Sequence, residues 1–189
     1  MIVLTKGRSG FLGLGAEEAM VRVRKLPSKE EERSLVILAE EILRKLLSLM
    51  KVPASIGVQE SSLSQGVGGH SPVTLNITGE DLGILIGRRG QTLSSLQYLL
   101  YLMLGHQMKA RVPLVIDVEG YRERRVEALR RLALHMAEQV SATGQSVTME
   151  PMPASERRII HLALQDYSGV TTESIGQGES RRVNILSQK

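Results

Sequence analysis

Between two short apolar segments the chain reads Gly87-Arg88-Arg89-Gly90. Glycines at both ends let a backbone reverse sharply and remove the Cβ atoms that would hold a second chain at a distance. The two arginines at the tip carry planar, permanently charged guanidinium groups, which pair with phosphate through directed hydrogen bonds. A helix opening near Gln91 would add free N–H groups and the positive end of its dipole on the same side. The chemistry on offer is the gripping of a phosphate backbone rather than bond making. As a bare pattern Gly-x-x-Gly also occurs in ordinary helix–helix turns, so its meaning depends on its surroundings. A second constellation is Arg157 and His161, which share one face if they sit on a helix. Such a pair can meet one phosphate from two sides, Arg as a fork and His as a neutral or charged donor. The plainer alternative is that His161 closes a local hydrogen-bond network. Arg181 and Arg182 follow near the C-terminus as further phosphate-holding candidates.

Other chemistries find little support. The chain has no cysteine, which removes disulfides and thiolate catalysis and fits a reducing compartment. His70, His106, His135 and His161 are scattered, with no metal-ligand spacing such as His-Glu-x-x-His. Asp81, Asp117, Glu119 and Asp166 show no paired-carboxylate spacing, so neither a catalytic residue nor a metal or cofactor is expected. The glycine-rich stretch from Gly7 to Gly15 lacks the Gly-Lys-Ser/Thr ending of a nucleotide phosphate loop. The formal charge is only +4 over 189 residues, yet arginine is paired at 88–89, 124–125, 130–131, 157–158 and 181–182. Single pairs of this kind are usually solvated helix faces, whereas five of them point towards nucleic acid. One Phe, four Tyr and no Trp argue against a sheet that stacks bases on exposed aromatics. No apolar run approaches the roughly 20 residues that span a bilayer, and a cytoplasmic location is the default expectation.

The elements that must position these residues can be read from periodicity. Residues 1–26 suggest two short strands, 1–4 and 19–23, around the glycine-rich turn with Phe11, Leu12 and Leu14 as anchors. Pro27-Ser28 opens a long helix with Ser28 and Glu31 at capping-box spacing. Its apolar stripe is Leu35, Leu38, Ala39, Ile42, Leu46 and Leu49, and Pro53 closes it. Alternating strands follow at Ala54-Ile56-Val58 and Val73-Leu75-Ile77, joined by a Ser/Gly-rich loop over 61–71. A short helix carries Leu82, Leu85 and Ile86 up to Gly87, and a second one carries Leu93, Leu96, Leu100 and Met103 as its core stripe. A strand at Val112-Leu114-Ile116-Val118 completes this half, with Pro113 suiting an edge or a strand start.

In the second half the pattern predicts a helix over 121–140 with Val126, Leu129, Leu132 or Ala133, Met136 and Val140 inward. Glu127 is spaced to pair with Arg131, and Gly144 ends the element. A strand at 147–149, a helix from Ser155 to about Asp166, and strands near 170–175 and 182–186 follow.

The turn at 87–90 thus falls at the helix–helix junction of a helix-strand-strand-helix-helix-strand unit. That order, with Gly83-Ile84-Leu85-Ile86-Gly87-Arg88-Arg89-Gly90, resembles the prokaryotic (type II) KH domain and its signature. Met149-Glu150-Pro151-Met152, the stretch Glu156 to Leu164 and Gly178-Glu179-Ser180-Arg181-Arg182-Val183 resemble the single-strand-binding domain named for its Arg-x-x-x-His motif. With the connection Asp117 to Arg125, the whole is similar to the bacterial Jag family, also called KhpB or SpoIIIJ-associated proteins, from about Lys29 onward. Gly10-Phe11-Leu12-Gly13-Leu14-Gly15 resembles the end of that family's small N-terminal module, inside which this chain would begin. Family members often carry an aromatic where this chain has Ser180.

The resemblance implies an α+β protein in three parts: the end of an N-terminal module over 1–26, a type II KH domain (αββααβ) over 28–118 and an Arg-His domain with a short antiparallel sheet over 119–189. It implies RNA contact through Gly87, Arg88, Arg89, Gly90, Arg157, His161, Arg181 and Arg182. It also implies a non-catalytic regulator of RNA-chaperone type, a small single-KH partner protein, and a connection with cell-envelope growth and cell shape. The alternatives are a protein-interaction adaptor whose basic faces only keep it soluble, and a binder of single-stranded DNA.

Overall fold

The computed structural model describes residues 2–5, 20–22, 28–60, 73–107 and 114–188. The expected turn at 7–15, the loop at 61–71, Pro113 and His70 lie outside the described residues. The chain divides into two compact units, Met1–Ile116 and Asp117–Lys189. In the first, β1 (Ile2–Thr5) pairs antiparallel with β2 (Met20–Arg22), with an irregularity between Val3 and Thr5.

Helix α1 (Lys29–Leu49) starts where the capping box asks it to: Glu31 N–H donates to Ser28 Oγ at 3.2 Å, and Ser28 N–H to Glu31 Oε2 at 2.7 Å. Glu30, Glu31 and Glu32 in the first turn complement the dipole. Its buried line is Leu35, Ala39, Ile42, Leu43 and Leu47, which corrects the expected stripe. Leu38 and Leu49 fall roughly a quarter-turn away at 100° per residue, and Leu49 is 72% exposed.

Strands β3 (Ala54–Glu60) and β4 (Val73–Gly79) pair antiparallel from Ala54↔Gly79 to Glu60↔Val73. With β5 (Leu114–Val118) they form a sheet of order β3-β4-β5. Central β4 buries Leu75 and Ile77, and β5 buries Leu114, Ile116 and Val118. Between β4 and β5 come α2 (Gly83–Ile86), a single 3-10 turn (Arg88–Gly90) and α3 (Gln91–Gln107), so the αββααβ order is as expected. Helix α3 buries Leu93, Leu96, Leu100 and Leu104, whereas Met103, expected inside, is 41% exposed. Gln97 fixes α3 to the sheet as a strand would: its Nε2 donates to Leu114 O at 3.0 Å, and Ile116 N–H donates to its Oε1 at 2.6 Å. Tyr101 Oη–H donates to the same Leu114 carbonyl.

The second unit opens with α4 (Tyr121–Thr143), closed by Gly144 at φ +71. Its inward residues are Leu129, Ala133, Ala137 and Val140, so Ala133 takes the place left open between it and Leu132, which is 43% exposed. Strands β6 (Val147–Thr148), β7 (Val170–Ile175) and β8 (Arg182–Ser187) form an antiparallel sheet of order β6-β8-β7, and α5 (Ala154–Ala163) lies between β6 and β7 in sequence. The core joins the inner line of α4 to Met149, Met152, Ile160, Leu164, Val170, Val183 and Ile185. Helix α5 is shorter than expected, because Leu164 caps it and a turn follows. The architecture is α+β throughout.

Candidate nucleic-acid interface

The Gly87–Gly90 turn is built from backbone conformations that most residues avoid. Gly87 has φ +67 and ψ −174, and its N–H closes α2 on Gly83 O at 2.9 Å. A Cβ on Gly87 would lie 2.0 Å from Thr92 Oγ1 and 3.0 Å from Thr92 N, so only glycine fits. Arg89 follows in the left-handed region at φ 55, ψ 33, and Gly90 at φ 75 is buried. A left-handed L-residue costs about 1–2 kcal/mol. The chain thereby reverses in one turn and enters α3 at Gln91, leaving Arg88 exposed and Arg89 half-buried. Beside the turn Ile84 is 65% exposed while Leu85 is fully buried. An outward apolar residue next to two arginines and the N-terminus of a 17-residue helix is a surface on which a phosphate chain and its bases can both lie.

In the second unit Arg157 and His161 are brought together, one turn apart on α5. Both reach the same strand: Arg157 Nη1 donates to Ser174 Oγ at 3.0 Å, and His161 Nε2 lies 2.9 Å from that oxygen. His161 Nδ1 lies 2.7 Å from Thr172 Oγ1. Thr172 and Ser174 alternate with Thr171, Glu173 and Ile175 and pair with buried Ile185 and Val183, so they occupy the helix-covered face of β7. Burial, with Arg157 adding repulsion, holds the His161 imidazolium below its ordinary pKa of 6.5. The imidazole is therefore neutral near pH 7. Among the described residues Arg157 Nε is a buried donor with no partner, and an unpaired buried donor of this kind costs about 1–3 kcal/mol.

Glu156, 7% exposed, sets the position of α5. Its carboxylate takes a fork from Arg125 on α4, Nε to Oε1 at 2.8 Å and Nη2 to Oε2 at 3.0 Å. That hydrogen bonding raises the Arg125 pKa further. Arg125, grouped by sequence with the phosphate-seeking arginines, is thus spent on an internal pair. Glu127 likewise pairs with Arg130 at 2.7 Å rather than with the expected Arg131, because the i,i+3 geometry closes first.

Arg181 and Arg182 are not drawn into the Arg157–His161 cluster alike. Arg182 opens β8 and alternates with buried Val183 and Ile185, so it shares the opposite face with Asn184. Its Nε donates to Ser180 O at 3.1 Å. Arg181 is exposed just before the strand, where its carbonyl accepts from Met152 N–H at 3.1 Å. On the open sheet face Thr148 Oγ–H donates to Asn184 Oδ1 at 2.9 Å and Asn184 Nδ2 to Glu173 Oε1 at 3.1 Å. Sequence reasoning missed Thr172, Ser174 and the Arg125–Glu156 fork. The alternation of Val170, Thr172 and Ser174 was the one signal that could have placed the first two on the helix-covered face. Among the described residues no three His, Cys, Asp or Glu gather into a metal-holding group, and no helix is long and apolar enough to cross a membrane.

Comparison with known proteins agrees with this geometry. Residues 38–116 match the KhpA/KhpB KH domain, and residues 127–186 match the domain named for its Arg-x-x-x-His motif. The RNA-binding protein KhpB of Clostridium symbiosum is 38% identical over 187 residues, covering 99% of this chain and 78% of that protein. The RNA-binding protein KhpB of Bacillus subtilis is 38% identical over 192 residues, covering 99% of this chain and 84% of its own length. That of Lactiplantibacillus plantarum is 40% identical over 121 residues, which is 64% of this chain and 38% of the relative. Both matched modules are of non-catalytic binding type. With a KH domain, an Arg-x-x-x-His domain and relatives alike over nearly its whole length, this chain belongs to the KhpB family.

Proposed function

We propose that the chain binds single-stranded RNA without cleaving it, holding the backbone at two places. In this reading Gly87, Arg88, Arg89 and Gly90 grip phosphate in the module over 28–118. Arg157 and His161, with Arg181 and Arg182 towards the same end of the chain, hold a second stretch in the module over 119–189. The observation that carries the reading is the Gly87 conformation, which leaves no room for a Cβ and opens directly onto the α3 N-terminus. Strain of this kind persists where a ligand site needs it. The relatives' description as RNA-binding proteins supports RNA as the ligand. Two modest grips on one molecule gain by effective concentration when one RNA reaches both. Fluorescence anisotropy with single-stranded RNA at low salt tests the reading: Arg88→Asp/Arg89→Asp should abolish most binding, and unchanged affinity would sink it. Loss of either site should weaken a long RNA more than a short one. Competition with matched deoxyribo-oligomers separates RNA from DNA, since only RNA presents the 2′-OH.

The wider role that fits is a cytoplasmic RNA-chaperone-type regulator connected with cell-envelope growth and cell shape. A protein partner also has a surface to use. On α3, Tyr98, Leu99, Leu102 and Met103 are 63%, 47%, 51% and 41% exposed. A contiguous apolar face of this kind suits a small single-KH protein, the partner that the family resemblance implies. Size-exclusion chromatography of the purified pair tests this: Leu102→Glu should separate them, and co-elution of the variant would remove the surface from the proposal.

A further inference from the structure

We propose that His161 acts on nucleic acid through Ser174, and that binding at this site is coupled to the uptake of one proton. The inference rests on the reading of Arg157 as a phosphate contact and goes beyond it by assigning work to Ser174 and Thr172.

Both nitrogens of His161 are already engaged, by Thr172 Oγ1 at 2.7 Å and Ser174 Oγ at 2.9 Å. Neither is free to reach a phosphate directly. Arg157 Nη1 donates to the same Ser174 oxygen at 3.0 Å, so the guanidinium lies on the Nε2 side of the ring. A cation on that side favours a lone pair at Nε2 and the proton at Nδ1. All donors then run in one direction: Arg157 N–H to Ser174 Oγ, Ser174 O–H to His161 Nε2, and His161 Nδ1–H to Thr172 Oγ1. Bonds arranged head to tail polarise and strengthen one another.

A solvent proton arriving at Nε2 reverses one link. The Nε2–H now donates to Ser174 Oγ, whose two lone pairs are taken by Arg157 and His161. The hydroxyl hydrogen must leave the ring nitrogen and find another acceptor. Next to two cations, that acceptor is an anion, and a phosphate oxygen at Arg157 supplies it. Phosphate therefore stabilises the protonated form and protonation stabilises the phosphate complex. The other charged groups near His161 do not offer this switch. Glu173 on β7 and Arg182 on β8 alternate onto the opposite sheet face, the core line of α4 is apolar, and its Arg125 is held by Glu156.

The test uses the full chain with Arg88→Asp/Arg89→Asp to silence the first site and a fluorescent oligouridylate as probe. Affinity should rise by roughly tenfold between about pH 7.5 and pH 5.5, the gain expected when ligand raises one pKa by about one unit. Ser174→Ala should flatten that rise, and Ser174→Thr, which keeps the hydroxyl, should restore it. Nitrogen-detected NMR of His161 should show the Nδ1–H tautomer in the free protein and a higher pKa once the oligonucleotide is added. A pH-dependent affinity that survives Ser174→Ala would mean that His161 contacts phosphate itself, overturning the relay. The Nε2–H tautomer in the free protein, or a His161 pKa unmoved by probe, would overturn it as well. If Arg157→Ala leaves affinity unchanged, the underlying site fails and the relay with it. If Arg157→Ala weakens binding while Ser174→Ala matches the parent at both pH values, only the relay fails.

Discussion

Replacing Gly87 by alanine tests the link between backbone geometry and binding. At φ +67 and ψ −174 the residue sits where only glycine is comfortable, and holding alanine there costs about 1–3 kcal/mol. The new Cβ would also stand 2.0 Å from Thr92 Oγ1, 2.8 Å from Thr92 Cβ and 3.0 Å from Thr92 N. The side-chain oxygen can rotate away, but the backbone nitrogen belongs to the first turn of α3 and moves only if the helix start moves. A loss of about 2–4 kcal/mol in folding stability is expected, the range seen when strain and overpacking coincide. Urea denaturation of the full chain, followed by a probe on the first unit, measures it. In a Thr92→Ala background part of the steric cost should vanish while the conformational cost stays, so the two substitutions should couple. RNA affinity should fall in both backgrounds, because the α3 N–H groups shift from the phosphate approach. A Gly87→Ala protein with native stability and native RNA affinity would refute the argument that this turn is held open for a ligand.

The Arg125–Glu156 fork should show an asymmetry under mutation. Arg125→Met strands a carboxylate that is only 9% exposed, whereas Glu156→Gln leaves an arginine that is 29% exposed and can turn to water. Chemical denaturation should therefore give a loss of about 2–4 kcal/mol for the first and less for the second; the reverse order would contradict the burial argument. His161 should make folding pH-dependent. Its folded pKa lies below its ordinary 6.5, so the unfolded chain binds the proton more readily and stability falls as pH drops through and below that value. Thermal melts at about pH 7.5 and about pH 5 should differ more in the wild type than in His161→Gln; equal differences would remove His161 from the account.

Much of the first unit could be read from the chain because its signals are local. The Ser28–Glu31 box lies within four residues, Gly144 terminates α4 in place, and the strands at 54–60 and 73–79 announce themselves by alternation. The glycines at 87 and 90 were legible as a turn, although the clash that makes Gly87 obligatory depends on where Thr92 points. Errors arose where a choice depended on tertiary packing. Leu104 displaced Met103 and Ala133 displaced Leu132 because neighbouring positions on a helix differ by 100°, and only the partner surface decides between them. The second site was half visible. Arg157 and His161 share a helix face by spacing alone, but Ser174 is 13 residues from His161 and joins it through strand register. Arg125 finds Glu156 across 31 residues, so an arginine cluster that looked free for phosphate proved partly committed to folding.

The salt dependence of RNA binding addresses the central claim most directly. For single strands each phosphate contact contributes a slope of about −0.7 in log K against log salt. If Arg88 and Arg89 each neutralise a phosphate, Arg88→Gln/Arg89→Gln should make the slope shallower by about 1.4 and weaken binding most at low salt. A parallel line, displaced or not, would contradict a phosphate-gripping turn at Gly87–Gly90.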